Sequence, residues 1–147
     1  MFYSYKYPRP SVTVDCVIFL REPENTKVLL IKRKKYPFKD KWAFPGGFIE
    51  MDEDLENSAE RELEEETGLK NINLSQFITA GTPGRDPRGR TISVIFVGFT
   101  DKDNCFIIPN DDASEGKWVP FDNIPVLAFD HNEILKRAIN SFFPDFH

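Results

Sequence analysis

Residues 47–69 read GFIEMDEDLENSAERELEEETGL. A glycine opens the stretch, a second glycine (Gly68) closes it, and five glutamates fall between residues 60 and 66. The apolar positions Leu55, Ala59 and Leu63 recur at helical spacing, so the segment is expected to form a helix from about Leu55 to Thr67, with Gly68 as its stop. With Leu55 set at zero on the helical wheel, Glu65 lies at about 280°, Glu62 at about 340° and Glu66 at about 20°. Glu60 and Glu64 point to about 140° and about 180°, a solvent-facing direction. Glu66 therefore falls within the apolar arc, where an unpaired carboxylate is costly to bury. Glu62 and Glu66 stand at i,i+4 and repel each other, a repulsion that a hard cation would remove. The residues alone leave two readings open, a charged surface helix and a cation site.

The sequence around this helix alternates strands and loops. Residues 1–11 read as an irregular arm. Val12–Leu20 is a strand interrupted only by Thr13 and Asp15, and Lys27–Lys32 is its expected antiparallel partner across a turn at 23–25. Ile72–Thr82 and Thr91–Thr100 read as further strands, the second apolar on both faces and so central. Phe106–Ile108 and Lys117–Val119 are short strand candidates. Asp130 is the expected N-cap of a final helix, His131–Phe143, ended by Pro144. The order points to an α/β fold, a mixed sheet with helices packed on its faces, in one domain over residues 1–147.

Composition narrows the function classes. The net charge of −5 argues against a general nucleic-acid binder, which needs a broad positive field. No apolar run is long enough to span a membrane, and no leader pattern opens the chain, so a cytoplasmic protein is expected. Cys16 and Cys105 lack metal-ligand spacing and are read as two buried, reduced thiols in strand-like runs.

From Gly47 to Leu69 the sequence matches, at every defined position, the signature of the Nudix hydrolases, GX5EX7REUXEEXGU with U aliphatic. The chain from about Val12 to Phe143 resembles that family's fold, an α/β/α sandwich in which the signature forms a loop–helix–loop. The resemblance implies hydrolysis of a nucleoside diphosphate linked to another moiety, with water attacking phosphorus and Mg2+ or Mn2+ as the cofactor. It implies Glu62, Glu65 and Glu66 as metal ligands, with the Gly46 carbonyl as a fourth, and Glu53 as the partner of Arg61 in a supporting role. Gly46 and Gly47 would let the backbone approach the ligand closely.

Two loops bear on the substrate. The run Gly81–Gly89, GTPGRDPRG, resembles a loop of the ADP-ribose pyrophosphatase branch and of relatives that sense ADP-ribose. Guanidinium groups suit bidentate contact with phosphate, so Arg85 is the expected phosphate reader, with Arg90 second; Arg88 is read as solvent-facing and Asp86 as a loop-fixing turn residue. The run 127–131, LAFDH, resembles the same branch, with His131 a first-turn helix residue and not a base. In the second loop, residues 110–118, the family often supplies an acid that activates water. Glu115 is favoured, with Asp111 and Asp112 as alternatives. The basic run Lys32–Lys41 is read as a solvated hairpin edge, and Trp42 and Phe44 as packing under the glycine loop. The expected substrate is ADP-ribose, cleaved to AMP and ribose 5-phosphate. The alternatives are another nucleotide (a modified triphosphate, nucleotide sugar or NADH) and a non-catalytic ADP-ribose sensor, which would carry a further domain. Many relatives resembling the chain are homodimers, which implies a possible homodimer here, and the aromatic arm (Phe2, Tyr3, Tyr5, Tyr7) suits either such an interface or packing on its own domain.

Overall fold

The structure, a computed structural model, describes residues 2–108 and 115–146. Seven strands and two helices follow in the order β1 (Ser11–Leu20), β2 (Lys27–Lys32), β3 (Trp42–Ala43), β4 (Gly46–Phe48), α1 (Leu55–Thr67), β5 (Ser75–Ala80), β6 (Thr91–Thr100), β7 (Gly116–Pro120) and α2 (His131–Phe142). The sheet runs β3-β2-β1-β6-β5, with β4 paired to β1 and β7 to β2. It is mixed: β1 and β6 run parallel along their whole lengths, from Ser11↔Thr91 to Leu20↔Thr100, and the other pairs are antiparallel.

Residue parity along the strands shows why both faces are covered. Val17, Phe19, Val28, Leu30, Ile95 and Val97 pack with Ile134, Leu135 and Ala138 of α2. Their neighbours Val14, Cys16, Ile18, Leu29, Val94 and Phe96 pack with Ala59 and Leu63 of α1. Adjacent side chains on a strand point to opposite faces, so the two helices lie on opposite sides of the sheet, the expected α/β/α arrangement. Each buried Leu- or Phe-sized side chain contributes about 1.5–3 kcal/mol. Among the described residues, no helix is long and apolar enough to cross a membrane.

The signature helix has the expected bounds, Leu55–Thr67, and Gly68 ends it at φ 78° with its N–H donating to the Glu64 carbonyl. Other expectations change. The Phe106–Ile108 run forms no strand; the Ile108 N–H donates to the Thr67 carbonyl at 2.7 Å and ties the run to the end of α1. Residues 72–74 also stay outside β5: Ile72 and Leu74 press so closely on Gly98 that a Cβ there would meet them at 2.7 and 2.9 Å. Trp42–Ala43 and Gly46–Phe48, read as loop, are short strands. Cys16 is buried, whereas Cys105 lies outside any strand, and both thiols are free.

Candidate active site

β4 brings the glycine turn against the signature helix. Backbone bonds from Cys16 N to the Pro45 carbonyl (2.8 Å) and from Ile49 N to the Val12 carbonyl (3.2 Å) turn residues 45 and 49 toward β1. The intervening alternation turns Gly46 the other way, and its N–H donates to Glu66 Oε1 at 2.9 Å. The Gly46 carbonyl shares that side. A Cβ on Gly47 would meet the end of the Glu62 side chain at 2.6 Å and push its carboxylate aside. One on Gly46 would run into the Val14 backbone carbonyl, so it is Gly46 that must be glycine for the strand to lie this close.

Arg61 organises the acids. Its Nε and Nη2 donate to the two Glu53 carboxylate oxygens at 2.8 and 2.9 Å, and its Nη1 donates to Glu62 at 2.9 Å and to Glu65 at 3.4 Å. Bonds from Arg61 and from the Ser58 hydroxyl hold the Glu53 carboxyl down at about 2. Glu66 is shifted the opposite way. Burial, opposed by the Gly46 N–H and reinforced by neighbouring Glu62, raises it to about 8. With Glu62 and Glu65 drawn to Arg61, the described residues present no ready-made group of three acidic, His or Cys side chains around one point. The donor set still fits a hard cation, since it consists of carboxylate oxygens and a carbonyl, and the half-buried Glu66 beside a like charge is the position such an ion relieves.

These groups line an open cleft of about 610 Å³. Glu62, Glu65 and Glu66 form one wall. The same cleft is lined by the cationic side chains of Arg33, Lys34, Lys35, Arg85 and Arg88. The basic run expected to be a solvated hairpin edge thus contributes three residues to the cleft, because the chain leaving β2 folds back on itself: Asp40 N donates to the Arg33 carbonyl and Arg33 N to the Lys41 carbonyl, each at 2.8 Å. On the floor lie Thr13, Asp15 and Ser93. Burial raises the Asp15 carboxyl to about 7 against the pull of Arg85. Asp15 was not read as a site residue, although an acid inside an otherwise apolar central strand was the available signal.

Arg85 lies on the cleft wall with a side chain only 5 % exposed. Its Nε and Nη2 pair with Asp130 at 2.9 and 2.7 Å, and its Nη1 donates to the Ser93 hydroxyl at 2.8 Å. Asp130 accordingly makes no side-chain cap for α2, contrary to expectation, because its carboxylate is turned to Arg85. Arg90 donates instead to the Gly81 carbonyl and does not line the cleft. Arg88 does line it, pairing with Asp86 at 2.7 Å, while Asp86 also accepts the Arg88 N–H and so fixes the loop as expected. Glu115 is exposed and outside the cleft lining; its backbone carbonyl accepts the Lys32 N–H at 2.8 Å. Asp111 and Asp112 fall outside the described residues.

The start of α2 closes the cleft. His131 is buried, accepts the Phe44 N–H through Nδ1 at 3.2 Å and stacks on the Phe44 ring; burial lowers its pKa to about 3, so it is neutral. Phe44, expected under the glycine loop, is buried in the core on the α2 side, and Trp42 is half-buried with Lys117 over its ring. In the turn Ala128–His131, closed by a 3.2 Å bond, Phe129 occupies the first central position at φ 53°. A bulky residue held in that region costs on the order of 1–3 kcal/mol.

Comparison with known proteins agrees with this architecture. The chain is 44 % identical over 130 residues to an ADP-ribose pyrophosphatase of Methanocaldococcus jannaschii, a match covering 88 % of this chain and 73 % of that protein. It is 37 % identical over 137 residues to the ADPR responsive transcriptional repressor NtrR of Acinetobacter baylyi, covering 90 % of this chain but only 54 % of the repressor. Among solved structures, the NUDIX domain of Shewanella oneidensis NrtR complexed with ADP ribose superposes with a TM-score of 0.85 at 32 % identity, covering 95 % of this chain and 93 % of that one. The NUDIX domain model matches residues 9–142 and takes in the signature helix, the glycine turn and the cationic wall together: the chain belongs to the Nudix family.

Proposed function

We propose that this protein is a divalent-metal-dependent pyrophosphohydrolase whose substrate is ADP-ribose, released as AMP and ribose 5-phosphate. The observation that carries the reading is the meeting of both kinds of charge in one cleft: Glu62, Glu65 and the half-buried Glu66 beside the glycine turn, together with a set of cationic side chains. A diphosphate needs both, counter-charge along its oxygens and an ion beside the phosphorus under attack. Glu62, Glu65, Glu66 and the Gly46 carbonyl would hold Mg2+, or Mn2+ in its place. When bound, the ion supplies positive charge to the transferring phosphoryl group and acidifies water.

Arg61 and Glu53 keep the carboxylates in register, and Arg33, Lys34, Lys35 and Arg88 attract and orient the phosphates. Arg85 acts on the substrate from the wall it shares with Asp130. Water activation is assigned to Glu115, which directly precedes β7 and whose carbonyl accepts the Lys32 N–H, or else to Asp111 or Asp112. Similarity to the M. jannaschii pyrophosphatase supports ADP-ribose over other nucleotides. A cytoplasmic homodimer completes the proposal.

A substrate panel with magnesium, following AMP release against phosphate and pyrophosphate release, tests the reading. AMP from ADP-ribose supports it; strong hydrolysis of triphosphates with ADP-ribose untouched rejects it. A second reading, an ADP-ribose sensor without turnover, draws on the similarity to the A. baylyi repressor and to the S. oneidensis NUDIX domain complexed with ADP ribose. It predicts ADP-ribose binding with no AMP formed.

A further inference from the structure

A second concavity, an open groove of about 420 Å³, lies away from the cleft, where the turn after β1 meets the end of α2. Phe121, Phe143 and Phe146 line it, and Glu24, Asp122 and Asp145 stand among them. Among the described residues its lining holds no basic side chain. The aromatic wall is packed ring on ring: Phe121 meets Phe143 and Phe146 edge-on at 5.3 and 5.2 Å, and Phe143 meets the buried Phe19 at 4.9 Å. The hydrolytic chemistry uses none of these residues.

The arm that precedes β1 has the complementary character. Residues 2–10 read FYSYKYPRP, with two cations, Lys6 and Arg9, four aromatics and no acid. Phe2, Tyr3, Tyr5 and Tyr7 are all exposed, Tyr7 at 69 %. Among the described residues their ring contacts stay within the arm, with Tyr3 stacked on Tyr5 at 6.4 Å and Arg9 over the Tyr5 ring at 4.1 Å. Pro8 and Pro10 fix their own φ and press Tyr7 and Arg9 toward extended backbone, so residues 7–10 are prepared for a polyproline-type conformation. Such segments dock in aromatic-lined grooves and lose little entropy in doing so.

Residues 5–9 cannot reach the groove of their own chain. The arm joins the sheet at Ser11, whereas the groove lies beyond Leu20, at the other end of β1. The ten residues of β1 set these ends about 30 Å apart, while the chain from Tyr5 to Ser11 spans at most about 22 Å. We propose that the arm docks in the aromatic groove of a second copy of this chain, with Lys6 and Arg9 toward Glu24, Asp122 and Asp145, and that two copies exchange arms reciprocally. Exchange of an identical element is a low-cost route to a dimer. This contact rests on the homodimer of the proposed function and leaves the reaction in the cleft aside.

Sedimentation equilibrium of the full chain tests the exchange. The wild type is expected to form a dimer that weakens as salt is added. Tyr7→Ser with Arg9→Glu disables the arm, and Asp122→Lys with Asp145→Lys reverses the charge of the groove. Each double variant should raise the dimer Kd at least about tenfold with an unchanged circular dichroism spectrum. Mixed in equal amounts, the two should dimerise again, since each mixed pair keeps one intact arm and one intact groove. A wild type that stays monomeric, or folded variants that do not recover on mixing, would overturn the proposal. So would a dimer whose Kd neither double variant changes, a result that keeps the homodimer on another surface. Arm-dependent dimerisation with no hydrolysis of ADP-ribose would reject the reaction and keep the contact.

Discussion

Arg85 and Asp130, forty-five residues apart, are joined by two hydrogen bonds of 2.9 and 2.7 Å that tie the β5–β6 loop to the start of α2. The guanidinium is nearly buried and also bonded to Ser93, so its removal leaves both the Asp130 carboxylate and the Ser93 hydroxyl without their partner. Arg85→Ala is expected to destabilise the fold by about 2–4 kcal/mol, the cost of breaking a largely buried ion pair. Arg85→Lys should recover only part, since an amine cannot make the two-pronged contact. Denaturant midpoints measure this. A raised KM with an unchanged midpoint would show that Arg85 serves the substrate alone.

The pH dependence of the metal-free protein follows from its buried acids. Glu66 is raised to about 8 and Asp15 to about 7, both chiefly by burial. An acid whose folded pKa is raised is penalised on ionising. Its stability contribution is complete below the ordinary carboxyl value and is lost as pH rises through the folded one. The thermal midpoint should therefore fall from pH ~5 to ~8.5, and less steeply in Glu66→Gln. Since a cation binds the ionised carboxylate, its binding should release a proton and tighten over the same interval. Midpoints rising with pH in the metal-free protein would contradict the assignment.

Arg61 holds Glu53, Glu62 and Glu65 at once. Arg61→Met should weaken metal binding about 10–100-fold, as loss of an orienting partner does, with the helix retained. Glu53, held at about 2, carries the opposite pH sign to Glu66: its contribution is present above the ordinary carboxyl value and is lost as pH falls through about 2. Isothermal titration of the variant with magnesium or manganese gives the affinity.

His131 is sealed under Phe44 and accepts that residue's N–H, so protonation would cost both the bond and the burial of a charge. Its pKa is lowered to about 3, and its contribution to stability is present above the ordinary histidine value and lost as pH falls toward about 3. An NMR titration should find its ring neutral from pH ~7 down to ~4. A midpoint near the ordinary histidine value would show the ring to be open to water.

What could be read from the sequence was what local pattern controls. The period of Leu55, Ala59 and Leu63 with the Gly68 stop located α1 to the residue, and the doubly apolar run 91–100 marked a central strand. Relationships made by folding were harder to see. β3 and β4 are two and three residues long, too short to show periodicity, and exist through pairing with β2 and β1. The Arg85–Asp130 pair links two elements that no local pattern connects, and it turns the Asp130 carboxylate away from the expected helix cap. Lys34 and Lys35 looked like solvated charge until the chain beyond β2 was seen to fold over the cleft.

Turnover of ADP-ribose by Glu66→Gln, at saturating magnesium and beside the wild type, addresses the central claim most directly. A fall in kcat of at least ~100-fold is expected, equal to about 2.7 kcal/mol of transition-state stabilisation, with an unchanged circular dichroism spectrum. Near-normal turnover by the folded variant would contradict the assignment of Glu66 to the metal and with it the account of the cleft.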